Sequence, residues 1–550
     1  MKNLIIIKMD LYSLFVISLL TTVLVGCNND MEPTGQQTST PDATVQQSTI
    51  VTAVAIPICA VESLPSLPDV TITSVSQEIQ PAPHCKIAGV IGPEIHFELL
   101  LPEKWNGKFV FGGGGGFVGS VVNVAESLYG AVQSGYATVG TDTGHQAHSL
   151  DASWGLNNME RIVNFGHQAV HRSTVTVKAL TRAYYHKDIA RNYFIGCSRG
   201  GGQALMEAQR YPEDFDGIVS GAPAYNWTMG LGAGMTQNMR VMYPDPSNLQ
   251  EAVVGPKEQA LIEASYLEMC DELDGIKDGI LNDPRQCKFD VAKLLCKGNK
   301  TDSCLSKTQL NAVNTYYKGP KDSKGNALYY GFPFGGETSA GGWSRWVTGG
   351  LKYLEDAGDF QEGMGSDFPA PKVPNAQHPF GTNIMKYFVY HDPDWTYKNY
   401  NYDTLREDAT LASNTLNATN PDLSAFRKQG GKLLMFTGWS DAAISALGTI
   451  GYYDEVVAHD KTAVNDMRLF MMPGVDHCLG GPGPSYTNFL TEIDNWVESG
   501  EAPDQTAAYW LDEKFQPTGS RLLCAYPKVA RYDGKGDTRD VSSFSCVSPN

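Results

Sequence analysis

Positive charge is scarce in this chain: 42 Lys and Arg stand against 60 Asp and Glu, a net charge of −18. A surface of that sign repels phosphate backbones, which argues against nucleic acid as a partner. A long hydrophobic run is missing near the start, where the apolar stretch Leu14–Val25 is only twelve residues long. That is too short to cross a hydrocarbon core of about 30 Å as a helix. The glycine run Gly112–Gly116 is not followed by Gly-Lys-Ser/Thr, so it is not a phosphate loop. Charged residues reach only 19%, but hydrophobic residues make up 42%, and that balance excludes wholesale disorder. Glycine (56) and proline (30) are abundant and imply long, shaped loops. At 550 residues the chain is expected to form two or three packed units, taking about 100–200 residues for each.

Lys2 and Lys8 precede the short apolar run, which is the layout of an export signal. The run ends in Leu24-Val25-Gly26-Cys27, which resembles a bacterial lipobox and predicts that Cys27 is lipidated. Residues 28–53 are polar and without hydrophobic period, as expected of a flexible tether. The expectation is an exported lipoprotein, periplasmic or at the cell surface, held to the membrane by its N-terminal lipid.

Eleven cysteines is an odd number, and setting Cys27 aside leaves ten. An even set in an exported chain predicts disulfides. Neighbours in sequence suggest Cys59–Cys85, Cys270–Cys287, Cys296–Cys304 and Cys524–Cys546. Cys197 and Cys478 remain, far apart in the chain.

Short β-rich runs at Lys108–Phe111, Ala137–Gly140, Asn192–Ile195 and Gly217–Val219 alternate with helical stretches, among them Arg161–Tyr185 and Gly201–Arg210. Two more strands are expected at Lys432–Phe436 and Arg468–Met471. This alternation predicts an α/β fold with a largely parallel sheet. At the end of the third run stands Gly196-Cys197-Ser198-Arg199-Gly200, a G-x-S-x-G between strand and helix. That context is the one a nucleophile elbow requires.

A serine hydroxyl needs a base, and on such a fold the acid and histidine follow it in the chain. Asp441 lies just after the strand Lys432–Phe436, and His477 just after Arg468–Met471. Asp476 adjoins the histidine and would point away from it, so Asp441 is the expected orienting carboxylate. Cys197 borders Ser198 and Cys478 borders His477. A disulfide between them, with Cα atoms about 5.5–6 Å apart, would bring the two loops together. Negative charge on a carbonyl attacked by the serine calls for backbone donors: Arg199 after the nucleophile, and Gly113 or Gly114 in the glycine run.

Cys197-Ser198, Asp441 and His477-Cys478 resemble the CS-D-HC pattern of the tannase and feruloyl esterase family, which includes bacterial mono(2-hydroxyethyl) terephthalate hydrolases. The runs Gly196–Gly201 and Glu207–Val219, together with Thr141–His145 and Trp105-Asn106-Gly107, are similar to family segments. The resemblance covers about residues 57–546 and implies an α/β-hydrolase fold with a large inserted lid. Roughly 200 residues between Trp227 and Gln429 fit that lid, being far more than a simple crossover needs. Within it, Cys270-Asp271-Glu272-Leu273-Asp274-Gly275-Ile276-Lys277-Asp278-Gly279-Ile280 is a compact array of oxygen donors suited to calcium, though not spaced as an EF-hand. The resemblance implies a structural Ca2+ held by Asp271, Asp274 and Asp278 and by the carbonyls of Ile276 and Ile280. Trp343, Arg345, Trp346, Phe388, Tyr390 and Trp395 are equally readable as lid core or as a pocket for a planar acyl group.

The expected organisation is a lipoprotein signal (1–27), a tether (28–53), a catalytic domain (54–227 and 430–550) and a lid (228–429). The expected activity is a serine esterase acting on esters of phenolic acids or feruloylated oligosaccharide. A tannase or mono(2-hydroxyethyl) terephthalate hydrolase activity is the alternative within the family. A surface lipoprotein that merely binds aromatic ligands is the alternative outside it.

Overall fold

In the computed structural model residues 58–351 and 368–549 are described. The export run, Cys27 and the tether lie outside them. Nine strands build one sheet: β1 (Val70–Glu78), β2 (His84–Ile91), β3 (Ile95–Pro102), β4 (Lys108–Gly112), β5 (Ala137–Thr141), β6 (Arg191–Cys197), β7 (Gly217–Gly221), β8 (Lys432–Gly438) and β9 (Met467–Met472). Their order is β1-β2-β3-β5-β4-β6-β7-β8-β9. The six from β4 to β9 run parallel, while β1, β2 and β3 join at one edge as antiparallel strands, β3 lying against β5. The sheet is thus mixed, with a parallel heart that matches the six expected strands.

Those six read as nearly continuous apolar runs, broken by single residues such as Thr138 and Arg468, because both faces are covered. Successive side chains point to opposite sides, so Phe194, Ile218, Leu433, Met435 and Leu469 enter one core, while Tyr193, Ile195, Val219, Leu434 and Phe470 enter another. Helices Ala169–Tyr185, Arg199–Arg210 and Ala446–His459 seal the first core, and Phe489–Ser499 seals the second through Phe489, Ile493 and Trp496.

The helix expected over Arg161–Tyr185 is interrupted. Met159–Val163 gives way to a π-helical turn, Asn164–Gln168, before the helix resumes. The wider turn presents the carbonyls of Phe165 and Gly166 to the buried Arg199 guanidinium, which donates to both.

From β7 to β8 the chain passes through the helices Gly234–Met242, Pro256–Cys270, Lys307–Lys318 and Gln377–Asn383. This region shares its apolar core with the catalytic side: Phe117, Trp154 and Phe165 pack in one cluster with Trp227, Trp343, Trp346, Phe380 and Phe388. Phe117 alone meets Phe380 at 5.1 Å and Trp227 at 5.7 Å between ring centroids. The segment between β7 and β8 is thus fused to the sheet through a common core, and the described residues from 58 onward form one compact unit. After β9, two hairpin ribbons (Gln505–Leu511 with Pro517–Cys524, Val529–Tyr532 with Phe544–Val547) close the chain.

Candidate active site

Ser198 stands between β6 and the helix Arg199–Arg210 with φ 61° and ψ −119°, a region that L-residues avoid. The surroundings over-determine it. Its N–H donates to the Gly221 carbonyl at 3.0 Å, and its carbonyl accepts from Ala224 N–H at 2.9 Å. Glycine is needed here for close approach: a Cβ on Gly201 would lie 2.1 Å from the Gly221 oxygen, and one on Gly196 2.5 Å from the Gly200 carbonyl carbon. Gly196 of the motif, and Gly201 just beyond it, are therefore packing requirements.

His477 and Asp441 come from the carboxyl ends of β9 and β8. His477 Nδ1 pairs with Asp441 Oδ2 at 2.8 Å. The other oxygen of this fully buried carboxylate accepts from Ala443 and Ile444 N–H, each at 2.8 Å, so its orientation is fixed. Cys197 and Cys478 form a disulfide with Cα atoms 6.0 Å apart, which ties the Ser198 turn to the His477 turn across 281 residues of chain. Among the described residues no hydrogen bond joins Ser198 Oγ to His477 Nε2, a contact that commonly tightens only on substrate binding.

Both side chains line one cavity of about 320 Å³. Val122, Val124, Leu128, Phe380, Leu479 and Trp346 give it apolar walls, Gly113–Gly116 line it, and Arg345 and Asp476 add charge. Trp346 meets the His477 ring edge-on at 5.0 Å.

The glycine run requires a correction. Gly113 N–H continues the sheet by donating to the Ile195 carbonyl at 2.8 Å, and Gly114 N–H donates to Gln203 Oε1 at 3.1 Å. Neither donor is left for an oxyanion. Gly115 has no acceptor for its N–H among the described residues, and a Cβ there would meet nothing within 4 Å, so it faces open space. Arg199, first residue of its helix, has no intrahelical acceptor for its N–H. Its buried side chain stacks on Phe165, and burial pushes its guanidinium down to about 9.

The segment Thr141–His145 scaffolds that run. Gly119 N–H donates to the Asp142 carbonyl at 3.1 Å, and His145 Nε2 pairs with the Phe117 carbonyl at 2.9 Å. Burial pushes His145 down to about 3, so it is a neutral support.

All five expected disulfides form: Cys59–Cys85, Cys197–Cys478, Cys270–Cys287, Cys296–Cys304 and Cys524–Cys546. In the acidic loop Asp271 accepts from Gly279 N–H at 2.9 Å, and Asp274 and Asp278 accept from Ile276 and Ile280 N–H at 3.1 Å. Asp274 Oδ2 is buried without a hydrogen-bond donor, and the carbonyls of Ile276 and Ile280 accept no hydrogen bond from the described residues. Burial and the neighbouring carboxylates push Asp274 up to about 6, against the pull of Arg521. This donor set has the chemistry calcium takes, although Arg521 meets Asp278 at 3.0 Å and shares the charge.

Among the described residues, the trio of possible ligands whose atoms lie within 4.8 Å of one another is a different one, His171, Glu207 and Asp214. It already has its cation, because Lys178 reaches the Asp214 carbonyl, and burial beside Asp214 raises Glu207 well above the carboxylate range. Among the lid aromatics, Trp343 and Phe388 are core, while Tyr390 and Trp395 pack with Tyr400 in a satellite cluster. Of the six lid residues singled out in the sequence, only Trp346 and Arg345 line the cavity.

Residues 80–547 match the family described as tannase and feruloyl esterase. The chain is 33% identical over 534 residues to a mono(2-hydroxyethyl) terephthalate hydrolase of Piscinibacter sakaiensis, covering 85% of each. It is 31% identical over 477 residues to a probable feruloyl esterase B-1 of Aspergillus fumigatus, covering 82% of this chain and 83% of that one. The crystal structure of feruloyl esterase B from Aspergillus oryzae superposes with a TM-score of 0.75 at 26% identity, over 89% of this chain and 99% of that one.

Proposed function

The chain belongs to the tannase and feruloyl esterase family and is a carboxylic ester hydrolase, and from that premise we propose that it cleaves esters of aromatic acids, feruloyl esters foremost, through an acyl-enzyme on Ser198. The observation that carries this reading is a strained serine and an Asp441-oriented histidine lining one cavity with apolar walls.

In the proposed reaction His477 Nε2 takes the Ser198 proton as Oγ bonds to the ester carbonyl carbon. Asp441 holds Nδ1–H and stabilises the imidazolium that forms. The carbonyl oxygen, now negative, is met by the N–H groups of Arg199 and Gly115. Collapse breaks the ester C–O bond, His477 returns the proton to the departing alcohol, and water repeats the sequence to free the acid. The flat apolar walls from Trp346, Phe380 and Leu128 suit an aromatic ring.

Ser198→Ala is expected to lower turnover of methyl ferulate by about 10⁴-fold or more with the fold intact. Full activity in that variant would overturn the mechanism. Turnover of methyl ferulate, methyl gallate, chlorogenate and mono(2-hydroxyethyl) terephthalate compared on one preparation ranks the substrate, and methyl ferulate or chlorogenate is expected to lead.

Two further features belong to this proposal. The loop Asp271–Ile280 holds a structural Ca2+ through Asp271, Asp274, Asp278 and the carbonyls of Ile276 and Ile280. An Asp274 oxygen that accepts no hydrogen bond, its one cation being Arg521 at 3.7 Å, and open carbonyls support it, and isothermal titration with CaCl2 tests it. The protein works outside the cytoplasm as a lipoprotein anchored through Cys27. Five disulfides support an oxidising compartment. Mass spectrometry of the mature N-terminal peptide should find acylated Cys27; an unmodified mature N-terminus elsewhere would refute the anchor.

A further inference from the structure

The turn carrying His477 holds a second carboxylate that the mechanism above leaves idle. Asp476 is buried and points away from the imidazole into the lid loop Gly335–Gly342. Its Oδ2 accepts from the Ser339 hydroxyl and faces Gly341 N–H. The loop wraps it closely: a Cβ on Gly341 would stand 2.6 Å from Oδ2, and one on Gly336 3.2 Å from Oδ1. The same loop leans on the Asp441 turn, since a Cβ on Gly336 would lie 2.7 Å from the Ser440 carbonyl oxygen and Gly336 itself has φ +76°. Glycine alone tolerates both the approach and the conformation.

From this loop the chain runs directly into the cavity wall. Gly342 carbonyl accepts from Arg345 N–H at 3.2 Å and Trp346 N–H at 3.0 Å, and Trp346 then meets His477. A buried carboxylate with one unpartnered oxygen is unfavourable on its own, so its contacts must return something.

We propose that Asp476 is a positioning residue: by latching Ser339 and Gly341 it registers the Arg345–Trp346 wall of the cavity against His477. The proposal rests on His477 being the base and cavity residue read above. It differs from that reading in what it predicts, because the latch governs how substrate is held and not whether the serine is activated.

Charge is part of the latch. Burial pushes Asp476 up to about 6; Ser339 and Gly341 N–H pull it down, Asp441 raises it, and His477 lowers it. Arg345 faces it from the lid, and the buried Tyr316 lies within its field. As pH falls through about 6 the carboxylate takes a proton and its grip on the two donors weakens.

The test measures kcat and KM for methyl ferulate between pH 5 and 8 in wild type, Asp476→Ala, Asp476→Asn and Ser339→Ala, with Ser198→Ala alongside. Asp476→Ala and Ser339→Ala are expected to raise KM on the order of tenfold, the worth of one charge-assisted hydrogen bond. Asp476→Asn keeps an acceptor oxygen and is expected to restore KM at pH 8. Its KM should stay flat on acidification, whereas that of wild type rises below pH about 6. A KM within twofold of wild type in both Ser339→Ala and Asp476→Ala overturns the latch. So does a loss in kcat alone, without rescue by asparagine, since that marks a merely structural residue. Retained activity in Ser198→Ala refutes the serine mechanism instead, and is read separately.

Discussion

The two turns that face each other across the cavity are built in different ways. The Ser198 turn is held by backbone: glycines at 196, 200, 201 and 202 pack against main-chain atoms, and Gly221 and Ala224 bind its peptide groups. The His477 turn has main-chain ties as well, Ser440 N–H to the Val475 carbonyl at 3.0 Å among them. It draws in addition on side chains from elsewhere: Asp441 on the ring, Cys197 on the neighbouring sulfur, Ser339 on Asp476, and Ile280 against Gly474. The nucleophile is thus placed mainly by close packing of main chain. The imidazole itself is oriented by Asp441, and its turn is tied to three further parts of the chain. Changes remote from the chemistry are therefore expected to disturb the histidine before the serine.

The largest effect should come from the partner nearest the base. Asp441→Asn keeps the shape but favours the wrong imidazole tautomer, and kcat is expected to fall by about 10⁴-fold with an unchanged circular dichroism spectrum. Next is removal of the bridge between the turns. Cys197→Ala with Cys478→Ala releases a 281-residue loop, worth about 5 kcal/mol in the chain-entropy account. A marked fall in the unfolding midpoint and a lower kcat are expected together. If kcat survived untouched, the side-chain ties would matter less than the comparison holds. The converse test is Gly201→Ala, whose Cβ would enter at 2.1 Å from a backbone oxygen. It should destabilise by about 1–3 kcal/mol, as overpacking does, and impair the serine turn while leaving the His477–Asp441 pair in place. Fluorophosphonate labelling of Ser198 reads the first, and the imidazole proton resonance the second.

The same contrast explains what could be seen in the sequence. The elbow was legible because its requirements are local: a strand, a glycine-flanked serine and a helix within twenty residues. The six parallel strands were legible as apolar runs, since both their faces are buried. β1 to β3 give a weaker signal: β1 is largely exposed, and β2 and β3 alternate buried with half-buried residues, as in His84–Ile91. The π turn at Asn164–Gln168 depends on Arg199, which arrives from another element, and no periodicity announces it. Gly113 and Gly114 stood out as donors by position, but their N–H groups are taken by Ile195 and Gln203, partners visible only once β4 and β6 pair. Asp476 adjoins the histidine but is not the partner of its imidazole, which is Asp441. The partner of Asp476, Ser339, lies 137 residues away, beyond the reach of any spacing argument.

Calcium supplies the smallest expected effect and the finest test of the comparison. Ile280, at the end of the acidic loop, packs on Gly474: a Cβ there would lie 3.2 Å from Ile280 Cγ1. The loop therefore touches the His477 turn. Without a cation, the Asp274 carboxyl is raised to about 6, above the value of about 3.9 it has when unfolded. The folded chain then holds this proton more readily than the unfolded chain, so its contribution to stability is present below pH about 4 and lost as pH rises through about 6. On the calcium proposal, a bound Ca2+ would remove that loss by favouring the carboxylate. Chelation is accordingly expected to lower Tm by ~2 °C or slightly more at pH 7.5 and by less at pH 5. Because the disturbance enters at Gly474, it should raise KM or lower kcat without slowing the labelling of Ser198 by a fluorophosphonate that needs little of the lid. Equal Tm shifts at both pH values would detach Asp274 from the ion. Slower labelling of Ser198 would show that the serine turn, too, leans on remote partners.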